Sequence, residues 1–118
     1  KGLEGSTDLP ISRACITARM RHAKPAERMI LHPRDHGCFG PDQEWTNREA
    51  WTEQAHAALR GAGPLAAALR WNAGCYLWFC GVSASLSAGL ERAEQCLQKA
   101  EGQTMLESLI RWRSAVGG

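Results

Sequence analysis

The sequence predicts a mixed α/β fold in which two short strands are followed by four helices. Three observations lead there. Apolar and polar residues alternate with period two from Arg13 to Arg21, the mark of a half-buried strand. From Trp45 onward the apolar residues recur at helical spacing. Gly61, Gly63-Pro64, Gly81 and Gly102 then cut that half into helix-sized pieces. A chain of 118 residues fits one domain with a modest core. The natural division is a strand and loop segment over 1–44 and a helical segment over 45–116.

The opening stretch, KGLEGSTDLPISR, carries Gly2 and Gly5 around Glu4, then Ser6, Thr7, Asp8 and a stop at Pro10. Glycines allow a carboxylate to be presented on a tight loop. Two readings stand for it: a polar loop leaving a buried strand, or part of a phosphate or metal site. In the first strand Ala14, Ile16, Ala18 and Met20 share one face, and Arg13, Cys15, Thr17, Arg19 and Arg21 the other. Lys24-Pro25 predicts a turn. A second strand follows over 27–32, with Met29 and Leu31 inward and Arg28 and His32 outward. If the strands pair, Arg19, Arg21, Lys24 and Arg28 surround one hairpin. That is either a phosphate-facing surface or a solvated strand face kept soluble by charge. The next stretch, LHPRDHGCFGPDQEW, reads as a loop. Its His32, Asp35, His36 and Cys38 match no recurrent zinc spacing.

Thr46 with Glu49 predicts a capping box for a helix running to about Arg60, with Trp51, Ala55, Ala58 and Leu59 on one stripe and Gly61 just past its end. Pro64 predicts the start of a helix over 65–80, which is apolar nearly all round and therefore buried on several sides. Gly81 ends it. Ser85 caps a third helix with Leu86, Leu90, Ala93, Leu97 and Ala100 on its apolar face and Gly102 as its stop. A last helix over 103–113 carries Met105, Leu106, Leu109 and Ile110, and the tail from Val116 is expected to fray.

The formal net charge is only +2, but its distribution is uneven: residues 1–36 hold seven Lys/Arg against four Asp/Glu. Five cysteines, an odd number with no CxxC pair, predict a reduced, cytoplasmic chain without a disulfide framework. Residues 71–90 lack charge, but Asn72, Gly74, Gly81 and a run of serines make them a buried helix and a turn rather than a membrane span. The chain opens at Lys1 inside what reads as a structured segment. A two-stranded sheet is marginal alone, and the 65–80 helix is too apolar for the partners in view. The expectation is a piece of a larger protein.

The text RWNAGCYLWFCGVSASLSAGLERAEQCLQKAEGQTMLESLI resembles the end of anthranilate phosphoribosyltransferase and its relatives. The resemblance rests on Asn72-Ala73 opening a helix, a glycine-ended turn, and then Ser85, Leu86, Gly89 and Ala93 in the order Ser-Leu-x-x-Gly-x-x-x-Ala. KGLEGSTDL looks like the same family's G-x-D-G-L-D-E segment. The resemblance implies the C-terminal portion of a nucleoside phosphorylase/phosphoribosyltransferase α/β domain. It also implies a helical dimerisation part and a glycine-rich phosphoribosyl pyrophosphate loop, neither of which this chain contains. Members that are enzymes hold Mg²⁺ for the diphosphate on an Asp-Glu pair. Here Glu4 and Gly5 stand at those places, so one carboxylate is lengthened and the other lost. A branch with KGxEG at this point looks like nucleic-acid-binding proteins rather than enzymes, and this sequence resembles it more closely.

The expectation is therefore a non-catalytic protein with no cofactor that holds phosphate backbones through Lys1, Arg13, Arg19, Arg21, Lys24 and Arg28. Its partner would be single-stranded DNA with little sequence preference, since few aromatic residues lie near the basic strands. A homodimer through the helical part, and no membrane, complete that picture. The alternative is a phosphoribosyltransferase acting on an aromatic amine such as anthranilate, with Glu4 and Asp8 on Mg²⁺.

Overall fold

The computed structural model of the chain describes residues 7–117. Two antiparallel strands come first, β1 (Cys15–Arg21) and β2 (Lys24–Leu31), followed by one turn of 3-10 helix at Pro33–His36. Four helices complete the chain: α1 (Arg48–Ala58), α2 (Ala66–Phe79), α3 (Leu86–Gln98) and α4 (Glu101–Val116). The mixed α/β order is the one the sequence predicts.

The hairpin differs from expectation in its turn, while Met29 and Leu31 point inward as expected. Register pairs Cys15 with Leu31, Thr17 with Met29 and Arg19 with Glu27, so these residues share one side of the sheet. That side faces the helices: Leu31 is buried, and Cys15, Thr17, Arg19 and Met29 are half-buried. Ile16, Met20 and Ile30 lie on the other side and are 58%, 74% and 60% exposed. The turn falls at His22-Ala23, with Ala23 in the left-handed region at φ 56°, rather than at Lys24-Pro25. Pro25 sits inside β2, where a two-stranded sheet leaves every second N–H unpaired and a proline costs no ladder bond.

The helices start and stop close to their predicted signals. Asn47, one residue past Thr46, caps α1 by accepting a 2.8 Å hydrogen bond from the Ala50 N–H. Ser85 caps α3 the same way, at 3.1 Å from the Ala88 N–H. Gly81, at φ 75°, closes α2 and its N–H returns to the Trp78 carbonyl at 3.0 Å. Between α3 and α4 the break is Ala100, at φ 52°, and Gly102 lies inside α4. That helix then continues to Val116 and has no buried residue, leaving Met105, Leu109, Ile110 and Trp112 more than half exposed.

The core lies where α2 packs on α3. Trp71 and Cys75 are fully buried and are surrounded by Ile11, Leu31, Cys38, Leu86 and Leu90. The two helices touch backbone to backbone at Gly74 and Gly89, so closely that a Cβ on Gly89 would collide with the Gly74 carbonyl. Among the described residues no helix is long and apolar enough to cross a membrane.

Candidate nucleic-acid interface

The segment that enters the first strand is held by α2. Asn72 brackets Leu9 from both sides: its Oδ1 accepts the Leu9 N–H at 2.7 Å and its Nδ2 donates to the Leu9 carbonyl at 3.0 Å. Nδ2 also donates to the Ala68 carbonyl at 2.9 Å, which fixes the side chain on its own helix. One turn further on, the Tyr76 hydroxyl donates to the Thr7 carbonyl at 2.8 Å. The (i, i+4) spacing of Asn72 and Tyr76 places both on one helix face, so residues 7–9 are laid along it. Replacing Asn72 by Ala strips two partly buried backbone groups of their partner. The expected loss is about 1–3 kcal/mol, read as a lower urea midpoint at unchanged slope. A midpoint equal to wild type would show that water replaces the amide at no cost.

Asp42 anchors the next turn of chain. It accepts from the Ile11 N–H at 3.1 Å, from the Ser12 hydroxyl, and from the Arg13 guanidinium at 2.9 Å. Burial pushes its carboxyl up, but these hydrogen bonds and the Arg13 charge more than offset that and hold it below its ordinary value. Arg13 is therefore one side of an ion pair that ties residues 11–13 to the loop before α1.

Arg19 has a structural task. Its Nη2 donates to the Trp78 carbonyl at 2.9 Å, and its guanidinium lies 4.8 Å from the centre of the Trp78 ring. Trp78 is in the last turn of α2, where unpaired carbonyls and the helix dipole favour a cation. Arg19 thus straps β1 to the end of α2 from the inner face of the sheet. It does not join Arg21, Lys24 and Arg28 on one surface.

Those three remain outside. Every residue from Arg21 to Arg28 is exposed. Arg21 and Lys24 face each other across the turn, and Arg28 lies opposite Ala18 on the outer face. The one carboxylate among them, Glu27, is 3.8 Å from Arg21, an exposed pair that screens little of the positive charge. Lys1 and Glu4 lie outside the described residues. Asp8 is exposed. Among the described residues no three His, Cys, Asp or Glu side chains are placed to hold a metal ion.

The cysteines are all free. Burial pushes the Cys15 and Cys38 thiols up, and Cys75 to about 12, so these core residues are neutral thiols at physiological pH. No protein-family model matches the chain, and no curated protein matches it either.

Sequence reasoning placed a hairpin here with Arg21, Lys24 and Arg28 around it, but put the turn two residues late. It missed the roles of Arg13, Arg19 and Asn72. The signal for Asn72 was a polar residue in an otherwise apolar helix, which is where a buried amide with a fixed backbone partner is expected.

Proposed function

We propose that this chain is a non-catalytic nucleic-acid-binding unit that contacts phosphates through Arg21, Lys24 and Arg28. The observation that carries the reading is the hairpin end. Eight consecutive exposed residues, 21–28, hold three cations against one carboxylate, on a narrow two-stranded element open to solvent. Such a ribbon presents point charges along a backbone without offering an aromatic platform, so it favours phosphate contacts over base readout. The resemblance to the KGxEG branch of the anthranilate phosphoribosyltransferase-like family supports the same reading, with single-stranded DNA as partner. That branch implies a homodimer assembled through a helical part outside this chain. Five free thiols fit a reducing, cytoplasmic setting.

The test is single-stranded DNA binding across a salt series, with wild type against the triple variant R21Q/K24Q/R28Q. Each phosphate contact adds about 0.7 to the slope of log affinity against log salt, so the variant should lose about two units of slope. All three side chains are exposed, and the fold should be unaffected. An unchanged slope in a variant that melts like wild type overturns the proposal. Arg19→Ala should behave differently: it loosens the strap to α2 and lowers the melting temperature while leaving most of the salt slope in place.

A further inference from the structure

A concave region lies between the 37–39 loop, the α1–α2 connection, the start of α2 and α3. It is an open-mouthed cleft of about 340 Å³, at the small end of ligand sites. Its walls combine Phe39 and Leu97 with Arg60, Arg70 and Glu94. We propose that this cleft binds a small organic carboxylate, with Arg60 and the free edge of Arg70 on the carboxylate and Phe39 and Leu97 against its apolar part.

The charge balance selects the ligand class. Arg70 is already half committed: its Nε lies 2.7 Å from Glu94 Oε2, and its Nη1 donates to Cys38 Sγ at 3.2 Å. Those contacts tether the guanidinium, and its Nη2 makes no hydrogen bond with a described residue. The Arg60 side chain is exposed and makes no ion pair or hydrogen bond with another described residue. Among the lining residues two guanidinium groups stand against one carboxylate, and Arg34 beside Phe39 adds further positive charge at the edge, which suits an anion. Guanidinium forks match the planar carboxylate in geometry as well as charge. The apolar side of the cleft is also fixed in place. Phe39 is 53% exposed, yet the Arg34 guanidinium packs 4.2 Å from its ring centre. An exposed aromatic wall beside a pair of arginines favours a carboxylate with an apolar body over a bare inorganic anion.

The probe is 3-phenylpropionate, titrated into the chain while the backbone amide resonances of Gly37, Phe39, Gly61 and Gln98 are followed. The neutral 3-phenylpropan-1-ol serves as its isostere. The carboxylate should shift these resonances with half-saturation at about 1 mM or below, and the alcohol should not. Arg60→Gln should weaken binding about tenfold, the value of one charge-assisted hydrogen bond, and Arg60→Lys should recover part of it. Because the Arg60 side chain has no hydrogen-bond or ion-pair partner among the described residues, both variants should melt like wild type. Equal shifts from the alcohol, an Arg60→Gln variant that binds as wild type does, or no shifts at about 10 mM carboxylate would each overturn the proposal.

Discussion

Gly89→Ala is expected to lower stability by about 3 kcal/mol, the upper part of the range for overpacking a tight site, and to reduce the melting temperature by roughly 10 °C. In an ordinary helix interior the same change stabilises by about 0.5–1 kcal/mol, because alanine loses less backbone freedom on folding. The sign reverses here because the new methyl meets backbone. A Cβ on Gly89 would press into the Gly74 carbonyl oxygen and lie 3.2 Å from its carbon. The partner position is just as closed: a Cβ on Gly74 would lie 2.6 Å from Leu90 Cδ2, 2.8 Å from its Cα and 2.9 Å from its nitrogen. A side-chain tip can rotate away, but a helix backbone moves only by separating α2 from α3, and that opens the core around Trp71. Gly102→Ala is the matched comparison. It is also helical, but its nearest neighbour is the end of the Leu59 side chain at 3.1 Å, which can shift. It should be neutral or slightly stabilising. Thermal unfolding of the two variants settles the matter, and a Gly89→Ala protein as stable as wild type would mean that the two helices do not cross at this distance.

That crossing also shows what the sequence could and could not disclose. Ser85 and Gly81 announced their helix ends through local chemistry, a hydroxyl cap and a left-handed turn, and both act within a few residues of themselves. Gly74 and Gly89 look, in the sequence, like interruptions of two helices. Their use depends on a partner fifteen residues away, and only packing reveals it. The hairpin turn was hidden for another reason. Ala23 takes a left-handed conformation normally left to glycine or asparagine, while the stronger turn signal, Lys24-Pro25, sits where an edge strand tolerates proline. The buried side of the sheet was ambiguous because both faces carry apolar residues: Ile16, Met20 and Ile30 on one, Cys15, Met29 and Leu31 on the other. Pairing decides it, since Leu31 can be inward only if Cys15 is.

The same limit applies to the basic residues. Charge content marked residues 1–36 as the cationic region, and within it the exposed end of the hairpin carries Arg21, Lys24 and Arg28. Nothing local distinguishes Arg19 from Arg21, two residues apart on a strand. One reaches a helix carbonyl 59 positions along the chain, and the other stays exposed beside Glu27. An arginine committed to a helix end on the inner face of a sheet is poorly placed to meet a phosphate. The basic surface is consequently smaller than its sequence, and concentrated at the turn.

Trp71 sets the largest expected loss. It is fully buried, it contacts the strand, the loop and α3 through the cluster of Ile11, Leu31, Cys38, Cys75, Leu86 and Leu90, and its ring lies 5.8 Å from that of His36. Trp71→Ala should cost about 3–5 kcal/mol, because the rigid Gly74–Gly89 contact beside it prevents the helices from closing over the cavity. A domain of this size has about 5–15 kcal/mol in all, so the variant should sit near its unfolding transition at room temperature. Trp71→Phe separates two contributions. The indole Nε1 is buried with no hydrogen-bond partner among the described residues, so the native residue already carries the cost of a desolvated N–H, about 1–3 kcal/mol. Phenylalanine removes that cost while giving up part of the ring, and the two changes should nearly cancel. Urea unfolding followed by far-ultraviolet circular dichroism avoids the signal of the four other tryptophans. A Phe variant as damaged as the Ala variant would show that the indole nitrogen is satisfied after all. An Ala variant within about 1 kcal/mol of wild type would show that the centre of the core lies elsewhere.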